Sequence, residues 1–211
     1  MILEPRAPRQ AWLLVTFSKF PMSAYTMKIL ALAVALAWGI AEQLFARRNR
    51  RHAGARERDR GSFLWITLSV TLGLTLACSF GLAGPGAFAY AWPWQLTGLM
   101  VLVLGLELRV HAIRLLARHF TSRVTLLADH QLIRSGPYRL LRHPSYLGQL
   151  MILAGLGAMM ANWVSLLAAP FFTTIALVAR IQVEERAMAE HFGAEFESYR
   201  RNTWRLLPLI W

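Results

Sequence analysis

The chain has 211 residues, of which 56% are hydrophobic and only 16% charged, and its formal net charge at pH 7 is +12. This composition is too apolar for an ordinary soluble fold. The charge does not indicate nucleic-acid binding, because the arginines interrupt long apolar runs and form no basic domain of their own. The single cysteine, Cys78, lies in an apolar run and is expected to pack rather than to bind metal. We therefore expect an integral membrane protein that contacts lipid and binds neither nucleic acid nor metal.

Five apolar segments have a length at or near the roughly 20 residues that a helix needs to cross a bilayer. In chain order they lie at Ile29–Phe45, Phe63–Gly81, Leu96–Leu116, Leu147–Ala161 and Val164–Val183. No strand-like alternation persists, so the predicted fold class is all-α: a polytopic membrane protein with about five transmembrane helices. Only two residues separate the last two segments, which predicts a C-terminal helical hairpin. The first of that pair carries small residues four apart, at 154/158 and 157/161, a spacing that favours close helix packing.

The distribution of arginine predicts which connections face the cytoplasm. Arg47–Arg60 contains seven arginines and Arg109–Arg142 contains seven more, whereas Gly81–Trp94 contains no charged residue. Because Lys and Arg near helix ends are retained on the cytoplasmic side, the two basic segments and the tail from Glu184 are expected there. The N-terminal segment, which is basic but lacks a long apolar core, is expected to lie at the membrane interface.

Charged residues at helical spacing mark two of the predicted helices. Glu107, His111, Arg114 and Arg118 share one face of the third, either as side chains that reach towards lipid headgroups or as a polar stripe facing a wet cavity.

In the fifth helix, Thr173, Arg180 and Glu184 also share a face, and the last two are one turn apart. They are either a membrane-end ion pair or part of a functional site.

A loop precedes the hairpin and reads LIRSGPYRLLRHPSYLG from Leu132 to Gly148. Its two prolines break the segment into short turns. The rings of Tyr138, His143 and Tyr146 suit a flat heteroaromatic ligand held by stacking and backbone hydrogen bonds. The alternative is a juxtamembrane loop whose arginines contact lipid phosphates.

Several ordered motifs from about Phe120 onwards resemble the isoprenylcysteine carboxyl methyltransferases, integral-membrane enzymes that use S-adenosylmethionine. They are HFTSRV, DHQLIRSGPYRLLRHPSYLG, ARIQVEERAM, HFGAEFESYRR and LLPLI. The resemblance implies a division of the chain into two parts. Residues 1–119 would hold the interfacial segment and the first three transmembrane helices. Residues 120–211 would form the methyltransferase core, with the cofactor loop, the hairpin and a cytoplasmic C-terminal helix.

The resemblance also implies roles for individual residues. Arg180 corresponds to an arginine that contacts the methyl acceptor, and Glu185 is expected to pair with it or with a neighbouring arginine in the catalytic centre. The residues expected to bind S-adenosylmethionine are Thr125, His130, Gln131, Leu132, Ile133, Tyr138, His143, Pro144, Ser145, Tyr146 and Glu184.

The expected activity is methylation of the carboxylate of a prenylated cysteine or a similar lipophilic acceptor. Such a carboxylate is ionised at neutral pH, so no strong general base is needed. One alternative is a methyltransferase of the same build acting on a phospholipid amine or a small thiol. An amine would need a base, for which the sequence offers Glu107 and His111. The other alternative is a non-catalytic membrane protein that binds lipid.

Overall fold

The computed structural model describes residues 24–50, 62–116 and 132–208. Within them lie six α-helices: α1 (Ala24–Arg50), α2 (Ser62–Ala83), α3 (Ala91–Leu116), α4 (Pro144–Met159), α5 (Trp163–Phe192) and α6 (Ala194–Arg201). A short 3-10 helix spans Gly136–Arg139. Two isolated bridges occur in these ranges but no strand, which confirms the all-α prediction. The N-terminal segment, Arg118 and most of the arginine-rich loop lie outside the described residues.

Three of the described helices are long and apolar enough to cross a membrane. These spans are Ala24–Leu44, Leu64–Ala83 and Trp163–Phe192. Helix α4 has only 16 residues, fewer than the roughly 20 that a full crossing requires. Integral membrane character is thus supported, while the predicted number of five crossings is not reached by the described helices.

Glycines bring the backbones of α3 and α4 into direct contact. A Cβ on Gly98 would lie 2.7 Å from the carbonyl oxygen of Gly155, and a Cβ on Gly155 would lie 2.6 Å from that of Gly98. Gly105 and Gly148 repeat this reciprocal contact seven residues along each helix, at 2.8 and 2.7 Å. Only residues without a side chain permit this approach, so the glycine pairs fix the position at which α4 packs against α3.

This contact differs from the packing predicted from small residues four apart. Ala158 does face Gly98 of α3, but Gly157 faces the backbone of Ser165 in α5. Ala161 falls beyond the end of α4, where its φ of 53° forms the hairpin turn. The 157/161 pair therefore does not form a helix surface, because the helix ends before its second member.

Asn162 begins the second arm of the hairpin. Its side-chain oxygen accepts hydrogen bonds from the backbone N–H groups of Val164 (2.9 Å) and Ser165 (3.3 Å), which caps α5. Its amide nitrogen donates to the carbonyl oxygens of Phe80 (3.1 Å) and Pro85 (2.9 Å). One buried residue thus ends the hairpin turn and ties it to the end of α2.

Helix α5 continues nine residues past the predicted end at Val183. The polar sequence that follows contains no helix breaker before Gly193, whose φ of 52° is a conformation that glycine adopts readily. Arg180, Glu184 and Glu185 consequently lie on one continuous helix.

A buried hydrophobic core includes Leu102 of α3 and Ile152 and Met159 of α4. Cys78 packs against this core, as predicted.

Candidate active site

The C-terminal segment holds the loop before α4 in place. The backbone N–H of Arg142 donates to the carbonyl oxygen of Trp204 (2.8 Å), and that of His143 donates to Arg205 (3.0 Å). In return, the N–H of Trp204 donates to the carbonyl oxygen of Leu140 (3.0 Å). These backbone hydrogen bonds hold the loop on the C-terminal segment. The loop is also held by α4, which begins at Pro144, directly after His143.

Two buried tyrosines add side-chain anchors to this loop. The hydroxyl of Tyr199 in α6 donates to the carbonyl oxygen of Tyr138 (2.8 Å), and the hydroxyl of Tyr138 donates to that of Ala112 in α3 (3.3 Å). Burial raises the pKa of both phenols, and that of Tyr199 reaches about 12 despite the lowering effect of Arg142 and Arg134. Both therefore remain neutral donors at physiological pH.

Arg180, Tyr146 and Glu184 meet where α5 passes the first turn of α4. Nε of Arg180 lies 2.8 Å from the hydroxyl oxygen of Tyr146 and 2.9 Å from Oε1 of Glu184. The Tyr146 hydroxyl donates to the same carboxylate oxygen. The side chain of Arg180 is only 3% exposed, whereas that of Glu184 is 21% exposed. A buried guanidinium is thus held beside a carboxylate that still reaches solvent.

His143 lies between the two adjacent carboxylates of α5. Its Nδ1 is 3.5 Å from Oε2 of Glu184, and its Nε2 is 3.4 Å from Oε1 of Glu185. Its ring stacks on that of Tyr146, with centroids 5.6 Å apart and planes 10° from parallel. Nε2 is buried against Glu185, and the geometry of this pair falls short of a hydrogen bond.

Glu185 pairs with two arginines, Arg142 and Arg205. Its Oε1 accepts from Nε of Arg142 (2.7 Å), and its Oε2 accepts from Nε of Arg205 (2.9 Å). Arg142 also donates through Nη1 to the carbonyl oxygens of Arg200 (3.0 Å) and Thr203. The expectation that Glu185 pairs with Arg180 or a neighbouring arginine is met by neighbouring arginines, and the pairs bind α5 to the loop and the C-terminal segment.

The structure brings together most of the predicted residues that it describes. Leu132 and Ile133 are half-buried at the start of the described range 132–208. Pro144 and Ser145 are buried at the start of α4. Tyr138, His143, Tyr146, Arg180, Glu184 and Glu185 make the contacts given above. Three predicted residues lie outside the described residues, namely Thr125, His130 and Gln131.

Among the described residues, three members of the polar stripe predicted on α3 are exposed, namely Glu107, His111 and Arg114. The charged residue of α3 that is buried is Arg109, which pairs with Glu42 of α1. Sequence reasoning missed this pair, because its members are 67 positions apart and Arg109 lies off the stripe.

Residues 97–190 match the family model described as the isoprenylcysteine carboxyl methyltransferase (ICMT) family. The matched region begins within α3, earlier in the chain than the motifs near Phe120, and contains Arg109, the hairpin and every candidate site residue up to Glu185. The helices before it, α1 and α2, lie outside the match.

Curated relatives carry the corresponding enzyme name. A probable protein-S-isoprenylcysteine O-methyltransferase from Oryza sativa subsp. indica is 34% identical over 115 residues, which cover 54% of this chain and 60% of that protein. The protein-S-isoprenylcysteine O-methyltransferase of Saccharomyces cerevisiae is 31% identical over 115 residues and covered to 48%. The chain thus spans about half of each of these relatives.

A solved structure shares the fold. The eukaryotic intramembrane Ras methyltransferase ICMT superposes with a TM-score of 0.53 at 25% sequence identity, over 72% of this chain and 53% of that one. The likeness agrees with an integral membrane protein built from packed helices.

Proposed function

We propose that this protein transfers a methyl group from S-adenosylmethionine to the carboxylate of a prenylated cysteine or a similarly lipophilic acceptor. The observation that carries the proposal is the contact of buried Arg180 with Tyr146 and Glu184, inside the region that matches the methyltransferase family. The same proposal includes the five membrane crossings expected from the apolar segments, the division of the chain after residue 119 implied by the resemblance, and a cytoplasmic site expected from the arginine distribution.

The donor set of the site fits S-adenosylmethionine. Glu184 offers a partly exposed carboxylate to a cationic amino group or to ribose hydroxyls. The parallel rings of His143 and Tyr146 offer flat faces beside this carboxylate. Tyr138, held by its hydroxyl on α3, adds a third ring. These groups would hold the cofactor together with Leu132, Ile133 and the residues carried over from the family that lie outside the described ranges.

S-Adenosylmethionine, when bound, supplies an electrophilic methyl group on a sulfonium. An α-carboxylate, with a reference pKa of about 3.3 to 3.7, is already ionised at neutral pH and needs no deprotonation before it attacks. The chain's task is therefore to orient the acceptor, and a buried arginine is suited to binding a carboxylate. Tyr146 and Glu184 fix Nε of Arg180 and so set the plane of its guanidinium group.

Arginine side chains dominate the chemistry of the site. Among the described residues, the guanidinium groups of Arg142, Arg180 and Arg205 pair with the carboxylates of Glu184 and Glu185. An arginine beside the acceptor attracts a carboxylate and repels a protonated amine, so a phospholipid amine is the second candidate.

The experiment is methyl transfer by the purified protein in lipid, with labelled S-adenosylmethionine and four acceptors. These are a farnesylated cysteine analogue, the same analogue with its carboxylate converted to an amide, phosphatidylethanolamine and a small thiol. We expect base-labile label on the free carboxylate alone. If the label appears on the amine or the thiol instead, that compound and not the carboxylate is the acceptor. Absence of saturable S-adenosylmethionine binding would favour a non-catalytic lipid-binding protein instead.

A further inference from the structure

Arg109 joins three helices through one buried guanidinium group. Its Nε and Nη2 donate to the two carboxylate oxygens of Glu42 in α1, at 2.7 and 2.9 Å. Its Nη1 donates to the carbonyl oxygen of Ser145 in the first turn of α4, at 2.9 Å. The Arg109 side chain is only 7% exposed and that of Glu42 is 32% exposed. Such a bidentate pair fixes the orientation of a guanidinium group more tightly than a single contact does.

The carbonyl group that Arg109 binds belongs to the turn that carries the candidate cofactor residues. Ser145 lies between His143, which stacks on Tyr146, and Tyr146, whose hydroxyl contacts Arg180. The turn also lies against the Arg109 backbone, because a Cβ on Gly148 would be 2.8 Å from the Arg109 nitrogen. A shift of the Arg109 side chain would therefore move this turn relative to α5.

We infer that Arg109, oriented by Glu42, is a positioning residue that sets where His143 and Tyr146 lie in the site. The catalytic part of this inference rests on the proposed methyltransferase function. Glu42 lies outside the region that matches the family, so the unmatched first helix would act on the matched site through one ion pair. The two hydrogen bonds to Glu42 join α1 to α3. The third, to the carbonyl oxygen of Ser145, is the one that connects this ion pair to the turn at the start of α4.

The test compares Glu42→Gln and Arg109→Lys with Arg186→Lys, an exposed charge-conserving change in α5. Glu42→Gln keeps the shape of the side chain but removes its charge, whereas Arg109→Lys keeps the charge but removes the bidentate contact. The first readout is hydrogen exchange without any ligand at the backbone amides of Tyr146 and Leu147, which donate to the carbonyl oxygen of His143. We expect exchange at least about fivefold faster there in both test variants and unchanged in the control.

The second readout is steady-state kinetics with S-adenosylmethionine and the farnesylated cysteine analogue. We expect the KM for S-adenosylmethionine to rise by between about fivefold and a hundredfold, and kcat/KM for the acceptor to fall as well, because the turn carries Tyr146, which contacts Arg180. Unchanged exchange at the turn in a folded Glu42→Gln protein would overturn the inference, as would an unchanged KM for S-adenosylmethionine in both test variants. If the wild-type protein transfers no methyl group, the proposed function fails, whereas the exchange experiment still decides whether Arg109 positions the turn.

Discussion

The hydroxyl of Tyr146 accepts a hydrogen bond from Nε of Arg180 at 2.8 Å, and the same hydroxyl donates to Glu184 one turn further along α5. Tyr146 belongs to α4 and the two charged residues to α5, so this contact joins the two arms of the helical hairpin. The orientation of Arg180 is therefore set from both helices.

Replacing Tyr146 by Phe should lower kcat/KM for the carboxylate acceptor by about tenfold. The change removes hydrogen bonds to two charged groups, each worth about 1.5 to 3 kcal/mol, while the direct pair between Arg180 and Glu184 remains. Steady-state kinetics measure the effect, with Tyr90→Phe as the control because Tyr90 is 68% exposed. Equal kinetics for the two variants would show that Tyr146 does not orient Arg180.

Replacing Glu185 by Ala should cost about 3 to 5 kcal/mol of folding free energy, because it leaves Arg142 buried without its carboxylate partner. The matched control is Glu195→Ala, which removes an ion pair with Arg134 whose side chains are 57% and 44% exposed and should cost at most about 1 kcal/mol. Denaturation in detergent measures both changes. Similar losses in the two proteins would contradict a supporting role for Glu185.

Replacing Gly155 by Ala should destabilise the protein by about 1 to 3 kcal/mol, since the new methyl group would lie 2.6 Å from the carbonyl oxygen of Gly98 and force α3 and α4 apart. The control is Gly39→Ala in α1, where a Cβ meets no atom within 4 Å. That change should be neutral or stabilising by up to about 1 kcal/mol, because Ala favours helix over Gly. Both values come from thermal denaturation, and a stabilised Gly155→Ala protein would show that the two backbones are not in contact.

Folding stability should fall as the pH rises from about 10, the ordinary pKa of tyrosine, through about 12, the folded-state pKa of Tyr199. Because the folded pKa is the higher one, the contribution of Tyr199 is fully present below pH 10 and is lost across this window. A Tyr199→Phe protein should lose less stability over the same range than a Tyr90→Phe protein. Denaturation midpoints at a series of pH values measure the difference, and parallel curves for the two variants would exclude this role.

Local sequence patterns predicted the helices and the residues that meet in the loop and in α5. The proximity of Arg180 and Glu184 follows from their spacing of four residues, and the turns around Pro137 and Pro144 follow from the restricted backbone of proline. These features depend on residues close together in the chain. The proposed reaction rests on the resemblance of ordered motifs and not on spacing.

Contacts between distant segments were not predictable in the same way. Glu42 and Arg109 pair across 67 positions, and the sequence around each residue contains no pattern that predicts its partner. The reciprocal glycine contact needs Gly98 of one helix and Gly155 of another, so neither helix alone reveals it. The end of α4 was predicted two residues late, because Ala161 reads as a good helix former although it occupies the hairpin turn.

Methyl transfer by Arg180 variants tests whether this arginine orients the acceptor carboxylate. Formation of base-labile ester on the farnesylated cysteine analogue would be measured for the wild type, Arg180→Ala, Arg180→Lys and the control Arg186→Lys, each shown to be folded. We expect Arg186→Lys to keep wild-type turnover, Arg180→Ala to lose at least about a hundredfold in kcat/KM, and Arg180→Lys to fall between them. An Arg180→Ala protein that forms ester at the wild-type rate would exclude Arg180 from the reaction.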